Sequence, residues 1–161
     1  PHEPAPTSAL ARFAAEHAVA PRTYAVLNLG ARLANKRLAA EDYARLAQRM
    51  EARGLRVVTT SGPAERALAD AVAAQAPTTL RAPDTSLREL AWLMSRARAV
   101  ASCDTGPMHL AVALGTPTLG LFVSTPPERY GHTAAPHAVI DARTTPVDAQ
   151  LEALDRWLGT V

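Results

Sequence analysis

Short runs of apolar residues alternate with amphipathic segments along most of the chain. Each run is nearly continuous in apolar character, which is typical of parallel strands that are buried on both faces of a sheet. The runs predict strands at residues 24–27, 55–60, 99–103, 117–122 and 138–140, and residues 78–81 could form a further strand.

The amphipathic segments between these runs predict helices, because their apolar positions recur with helical spacing. Ser86 and Glu89 have the spacing of a capping box at the start of one of them. The predicted helices cover residues 7–19, 40–53, 64–75, a segment that starts at Ser86, residues 107–114 and a last segment that ends at Leu158. Alternating strands and helices favour an α/β fold, a Rossmann-like parallel sheet with helices on both faces.

The chain of 161 residues is close to the usual size of one domain. Residues 1–6 are rich in proline and predict a linker or a disordered edge, whereas residues 7–161 predict the domain itself. In Rossmann-like sheets ligands bind at the carboxyl ends of the strands. The loops expected at those ends follow Leu27, Thr60, Arg81, Cys103 and Phe122.

The composition narrows the class of partner. The sequence is 48% hydrophobic but only 4% aromatic, so Ala, Leu and Val must build most of the core. The formal net charge of +2 comes with basic residues scattered along the chain, which argues against a nucleic-acid partner. No stretch approaches the roughly 18 apolar residues of a membrane span. The only cysteine, Cys103, cannot form an internal disulfide and no signal-peptide pattern opens the sequence, so we expect a cytoplasmic protein.

The most informative stretch joins a predicted buried strand to a helix and reads Asp-Thr-Gly-Pro-Met-His from Asp104 onward. Gly106 allows close approach of the backbone, and Pro107 suits the first turn of a helix. The free amides of that turn predict an anion site, toward which His109 can point a ring nitrogen. Asp104 or Thr105 could cap the helix. The alternative is that Asp104 only caps the helix and that His109 is a buried histidine with satisfied hydrogen bonds.

Several spaced motifs give the chain a family resemblance. Residues 104–117, Asp-Thr-Gly-Pro-Met-His-Leu-Ala-Val-Ala-Leu-Gly-Thr-Pro, resemble the signature of the heptosyltransferases, glycosyltransferase family 9. Residues 28–37 resemble the family's first loop, residues 61–65 its Gly-Gly-Pro-x-Glu turn, and residues 85–90 its Thr-Ser-Leu helix start. These motifs follow one another in the family's order.

The resemblance implies a GT-B fold, in which two Rossmann-like domains face each other across a cleft. This chain would be the carboxyl-terminal half, which binds the nucleotide sugar, and the amino-terminal acceptor domain would lie outside it. Lys36 would contact the donor diphosphate or sugar, Glu65 the ribose and Thr85 the base. The remaining residues implied to bind the donor phosphates and orient the sugar are Asp104, Thr105, Gly106, Met108 and His109.

Three departures from the family pattern leave the identity of the donor open. Asn28-Leu29 replaces His-Pro, Leu38-Ala39 replaces Trp-Pro, and residues 122–125 read Phe-Val-Ser-Thr where Phe-Gly-Pro-Thr is usual. Without the resemblance, Lys36 and Arg37 read as solvated surface charges, and the role of Arg37 stays open even with it.

Other candidate residues have simpler interpretations. Glu65 could merely complement the dipole of its helix instead of binding ribose. Cys103 fits a small core residue better than a nucleophile. The other histidines lack the spacing of metal ligands, so no metal site is predicted. These histidines are His2, His17, His132 and His137.

The resemblance implies transfer of heptose or a related sugar from ADP-heptose or a similar nucleotide sugar to a lipopolysaccharide core or other glycan acceptor. It implies inverting chemistry without a metal or a cofactor, and a catalytic base in the other domain. No catalytic residue is therefore expected in this chain, and the domain alone should be inactive. The resemblance is also compatible with peripheral association of the full protein at the inner face of the membrane.

Two alternatives of other classes remain at this point. One is a nucleotide-binding module without catalytic activity, and the other is half of a GT-B-like nucleotide-sugar epimerase. A Rossmann dehydrogenase is disfavoured, because no Gly-x-Gly-x-x-Gly follows the first predicted strand.

Overall fold

The computed structural model describes residues 8–31 and 33–161, so the predicted linker at residues 1–6 lies outside the described residues. Six parallel strands form one sheet in the order β3-β2-β1-β4-β5-β6. The strands are β1 (Tyr24–Asn28), β2 (Arg56–Thr60), β3 (Leu80–Arg81), β4 (Ala99–Cys103), β5 (Thr118–Phe122) and β6 (Ala138–Asp141). This order of parallel strands is that of the Rossmann fold, as predicted.

Helices connect the strands and cover both faces of the sheet. They are α1 (Ala9–Glu16), α2 (Ala40–Ala52), α3 (Arg66–Gln75), α4 (Leu87–Arg96), α5 (Gly106–Ala113), α6 (Pro127–Tyr130) and α7 (Val147–Leu158). Two short 3₁₀ helices, Ala34–Lys36 and Pro63–Glu65, lie in the loops after β1 and β2. None of the helices within the described ranges combines the length and the apolar character that crossing a membrane requires.

The alternation of side chains along the strands divides the interior into two cores. Ala25 and Leu27 of β1 pack under α2, α3 and α7, whereas Tyr24 and Val26 pack on the opposite face with α1, α4 and α5. Successive residues of a strand point to opposite faces, so a strand that is apolar throughout serves both cores. This is the physical reason for the continuous apolar runs in the sequence.

One predicted strand is much shorter than expected. Residues 78–81 are expected to form a strand of four residues, but β3 contains only Leu80–Arg81. The backbone N–H and the hydroxyl of Thr79 both donate to the carbonyl oxygen of Ala76, which makes a turn of these residues. The predicted capping box is confirmed, since the hydroxyl of Ser86 accepts from the Glu89 N–H and the Glu89 carboxylate accepts from the Ser86 N–H.

The topology places a crevice between β1 and β4. The chain passes from β1 outward through β2 to β3, and then returns to pair β4 with the other edge of β1. The connections on either side of β1 leave in opposite directions, which opens a crevice beyond the carboxyl ends of these two strands. The residues that follow β1 and β4 are therefore the ones best placed to bind a ligand.

We predict that Leu93→Ala, in the middle of α4, lowers the free energy of unfolding by about 2–5 kcal/mol, because it leaves a cavity in a core where Leu93 is fully buried. Leu87→Ala on the same helix is the matched control, since Leu87 is 72% exposed and should change stability by less than about 0.5 kcal/mol. Urea unfolding followed by circular dichroism measures both. Equal losses in the two variants would contradict the packing described for α4.

Candidate functional site

A pocket of about 480 Å³ occupies the crevice at the carboxyl ends of β1, β2 and β4. Its walls come from the loops after these three strands and from the start of α4. The residues that line it are Asn28, Gly30, Ala31, Leu33, Lys36, Thr60, Ser61, Gly62, Glu65, Thr85, Leu90, Asp104, Thr105, Gly106 and Pro107. The pocket lies where the topology of the sheet predicts a ligand site.

A buried amide network forms the floor of the pocket. The Asn28 side-chain nitrogen donates to Ser102 Oγ and to the Gly30 carbonyl oxygen, both at 3.0 Å. Thr60 Oγ1 donates to Asn28 Oδ1 at 3.1 Å. Asn28, at the end of β1, is thereby joined to the ends of β2 and β4. Both ends of its amide are used, so this departure from the family's usual histidine has a structural role here.

The carboxylate of Asp104 connects three loops. Asp104 follows β4, and its Oδ2 accepts hydrogen bonds from Lys36 Nζ at 2.8 Å and from Thr125 Oγ1 at 2.7 Å. Lys36 lies in the loop after β1 and Thr125 in the loop after β5. The Asp104 side chain is only 6% exposed. Burial by itself raises the pKa of Asp104, but the hydrogen bonds from Lys36 and Thr125 and the charge of Lys36 outweigh it and hold the pKa below its usual value.

The first turn of α5 has no side-chain cap among the described residues, which corrects the expectation that Asp104 or Thr105 caps this helix. Thr105 occupies the N-cap position, but its hydroxyl donates to the Cys103 carbonyl oxygen at 3.1 Å. The Asp104 carboxylate turns instead to Lys36 and Thr125. The amino-terminal N–H groups of a helix without a cap carry partial positive charge and can bind an anion in the pocket that Thr105 and Gly106 line.

A second ion pair lies on another wall of the pocket. Arg37 Nη2 donates to Glu65 Oε1 at 2.7 Å, and Arg37 Nε donates to the Ala31 carbonyl oxygen at 2.9 Å. Glu65 Oε2 accepts the Gly62 N–H at 2.8 Å. Arg37 is therefore not a solvated surface charge. Glu65 thus accepts a free backbone N–H at the start of its 3₁₀ helix and also lines the pocket.

Six of the eight residues expected to bind the donor line this pocket. They are Lys36, Glu65, Thr85, Asp104, Thr105 and Gly106. Met108 does not, because it is 1% exposed and lies in the core, where a β-carbon at Gly120 would come within 2.9 Å of its sulfur.

His109 lies outside the lining of the pocket, on the exposed side of α5. Its side chain is 45% exposed, so the alternative of a buried histidine is wrong. Nδ1 of His109 lies 3.0 Å from Nε2 of His132, and Nε2 of His109 lies 3.7 Å from Asp104 Oδ1. The ring is therefore held beside Asp104, at the rim of the pocket.

Sequence reasoning missed Asn28, Thr60 and Thr125 as site residues. Each is a polar residue at or just beyond the end of a buried strand, and this position in the sequence could have identified them. Cys103 is 1% exposed, and burial raises the pKa of its thiol, as expected of a core residue. In the described part of the chain, no group of three or more His, Cys, Asp or Glu residues could hold a metal ion.

The lowered pKa of Asp104 predicts how stability depends on pH. In the unfolded chain the carboxyl titrates near its ordinary value of 3.8, and in the folded protein it titrates lower. The contribution of the ionised carboxylate is therefore fully present above pH 3.8 and is lost as the pH falls through the lowered pKa. We expect Asp104→Asn to be less stable than the parent near neutral pH, with a difference that shrinks in acid.

Urea unfolding of both proteins over a pH series measures this difference. Asp84→Asn is a suitable control, because the Asp84 side chain is 70% exposed and its ion pair with Arg66 is long, at 3.5 Å. A stability difference for Asp104→Asn that stays constant from neutral to acid pH would contradict the ion pair with Lys36.

Comparisons with known proteins point to one family. The sequence model of glycosyltransferase family 9 (heptosyltransferase) matches residues 3–157. The lipopolysaccharide core heptosyltransferase OpsX of Haemophilus influenzae is 36% identical over 87 residues, which are 51% of this chain and 25% of OpsX.

Two solved structures share the fold. The ADP-heptose lipopolysaccharide heptosyltransferase II of E. coli superposes with a TM-score of 0.78 at 21% identity, over 99% of this chain and 54% of that one. The E. coli heptosyltransferase WaaC, solved with ADP-2-deoxy-2-fluoro heptose, gives a TM-score of 0.70 at 24% identity, over 87% of this chain and 44% of that one.

The chain thus spans about half the length of these solved relatives, and its aligned part covers a quarter of the curated one. The similarity of fold confirms a Rossmann-like domain of the kind found in GT-B glycosyltransferases. With a family match over nearly all of its residues, the chain belongs to glycosyltransferase family 9, the heptosyltransferases.

Proposed function

We propose that this chain is the donor-binding domain of a glycosyltransferase that transfers heptose or a related sugar from an ADP-linked donor. The observation that carries the proposal is the pairing of a cation with a helix amino terminus across one pocket. Lys36 lies on one wall, and the uncapped turn of Thr105 and Gly106 lies on another. Together they suit a diphosphate, which carries negative charge and accepts several hydrogen bonds.

Lys36 stands out chemically. It is the only lysine in the sequence, whose other basic residues are arginines. An ammonium is a compact charge with three rotatable donors, so it can bind a phosphate oxygen while keeping one hydrogen bond to Asp104. Asp104 thus holds the Lys36 ammonium at the edge of the pocket. A donor diphosphate would bind the ammonium without breaking its hydrogen bond to Asp104.

The choice of an ADP-sugar rests on relatives. WaaC was solved with ADP-2-deoxy-2-fluoro heptose, and heptosyltransferase II is described by its ADP-heptose donor. In this chain Thr85 and Leu90 line the end of the pocket formed by the start of α4. We therefore assign the base to that end and the diphosphate to the end near Gly106.

The remaining features of the reaction are proposals about the whole protein. We propose an acceptor in a lipopolysaccharide core or a similar glycan, inverting displacement without a metal or other cofactor, and a location at the cytoplasmic face of the membrane. Charge on the departing diphosphate would be stabilised by Lys36 and the α5 amino terminus. A base from outside this chain would deprotonate the acceptor hydroxyl, so transfer would require the rest of the protein.

The two alternatives considered from the sequence are less well supported. A noncatalytic nucleotide-binding module would bind the nucleotide without turnover in the full-length protein. An epimerase half would bind UDP-sugars in preference to ADP-sugars. Membership of glycosyltransferase family 9 does not favour either one.

Calorimetric titration of the full-length protein with ADP, UDP and ADP-heptose tests the proposal. We expect ADP to bind more tightly than UDP, and Lys36→Ala to weaken ADP binding about tenfold to a hundredfold, the effect of losing a hydrogen bond to a charged group. Arg49→Ala is the matched control, because Arg49 is also ion-paired, to Asp155, but lies away from the pocket. Unchanged ADP affinity in a folded Lys36→Ala protein would refute the assignment of the diphosphate.

A further inference from the structure

Arg37 links the loop after β1 to the loop after β2. It follows the 3₁₀ helix that carries Lys36, in the loop after β1, and its partner Glu65 lies in the loop after β2. Its Nε and Nη2 donate to the carbonyl oxygen of Ala31, and Nη2 also donates to Glu65 Oε1 at 2.7 Å. The side chains of Arg37 and Glu65 are only 19% and 8% exposed, so the ion pair is largely withdrawn from water.

Both oxygens of the Glu65 carboxylate are held. Arg37 donates to Oε1, and the Gly62 N–H donates to Oε2 at 2.8 Å. Two contacts on different oxygens fix the rotation of the group as well as its position. An ionised carboxylate has about four acceptor sites, so each oxygen can accept a further hydrogen bond from a ligand.

The lack of a side chain at Gly62 leaves this carboxylate open to the pocket. A β-carbon at Gly62 would lie 2.8 Å from Glu65 Oε2, whereas one at Gly30 would lie 3.8 Å from the same oxygen, an ordinary van der Waals contact. Gly62 lines the pocket together with Glu65. A side chain at position 62 would push the carboxylate away, so the absence of one leaves its oxygens within reach of a ligand.

We propose that Arg37 is a positioning residue that holds the Glu65 carboxylate in place for the two adjacent ribose hydroxyls of the nucleotide donor. An acidic residue after the second strand of a Rossmann domain is well placed to accept from ribose hydroxyls. Without the guanidinium, a carboxylate this deeply buried loses its counterion and turns toward water. Arg37 therefore sets the preference for a ribonucleotide without touching the nucleotide, and this inference rests on the proposed function.

The test compares ADP with 2′-deoxy-ADP by calorimetric titration of the full-length protein. We expect the parent to bind ADP about tenfold or more tightly than 2′-deoxy-ADP, since one hydrogen bond to a charged group is lost. In Arg37→Ala this ratio should fall close to one. The ratio is the informative readout, because a general loss of structure would weaken the binding of both nucleotides equally.

Two further variants sharpen the comparison. Arg49→Ala, an ion-paired arginine on α2, should keep the parental ratio. Arg37→Lys keeps a positive charge but lacks the planar fork that reaches Ala31 and Glu65 together, so its ratio should lie between those of the parent and Arg37→Ala. If Arg37→Ala fails to fold, Arg37→Lys still allows the comparison with the parent.

The possible failures are distinguishable. If the parent binds ADP but does not discriminate against 2′-deoxy-ADP, the inference is wrong and the proposed function stands. The inference is equally wrong if the variants at Arg37 retain full discrimination. If the parent does not bind ADP, the proposed function fails and the inference falls with it.

Discussion

The hydrogen bonds to the Asp104 carboxylate hold together three loops at the carboxyl ends of the strands, two of which line the pocket. Asp104 itself follows β4, Lys36 reaches it from the loop after β1, and Thr125 reaches it from the loop after β5. These loops meet because the strand order reverses between β1 and β4. The same carboxylate holds the only lysine of the chain next to the amino terminus of α5. A cation and a helix terminus therefore face one cavity, an arrangement that would suit the proposed diphosphate.

Two consecutive residues, Lys36 and Arg37, connect the loop after β1 to two other loops. Lys36 pairs with Asp104 and Arg37 pairs with Glu65, and each acidic partner is nearly buried. Ion pairs that are withdrawn from water add little net stability, because desolvation offsets their attraction. Their value here is positional, since they fix a carboxylate and an ammonium on the walls of a pocket. The departures from the family pattern fit this arrangement, because Asn28 joins the strand ends and Thr125 still reaches Asp104.

Much of the fold could be predicted from the sequence, because β1, β4 and β5 are buried along their whole length and helices such as α2 and α4 are amphipathic. The sequence was less informative where local hydrogen bonds compete with the sheet, as at Thr79, which turns back on Ala76 and shortens β3. The sequence places the residues of the Asp104 motif at one strand-to-helix junction, but it does not reveal which of them face the pocket. Successive residues of a helix are about 100° apart, so Met108 faces the core although Gly106 faces the pocket. The contact between His109 and His132 depends on the path of the loop after α6, which the local sequence pattern does not reveal.

We propose that the donor diphosphate binds between Lys36 and the first turn of α5. A crystal structure of the full-length protein with ADP is the decisive measurement. We expect phosphate oxygens within hydrogen-bonding distance of Lys36 Nζ and of backbone N–H groups at Thr105 and Gly106, with the Lys36 contact to Asp104 retained. Phosphates bound elsewhere on the domain, with this turn facing only solvent or protein, would contradict it.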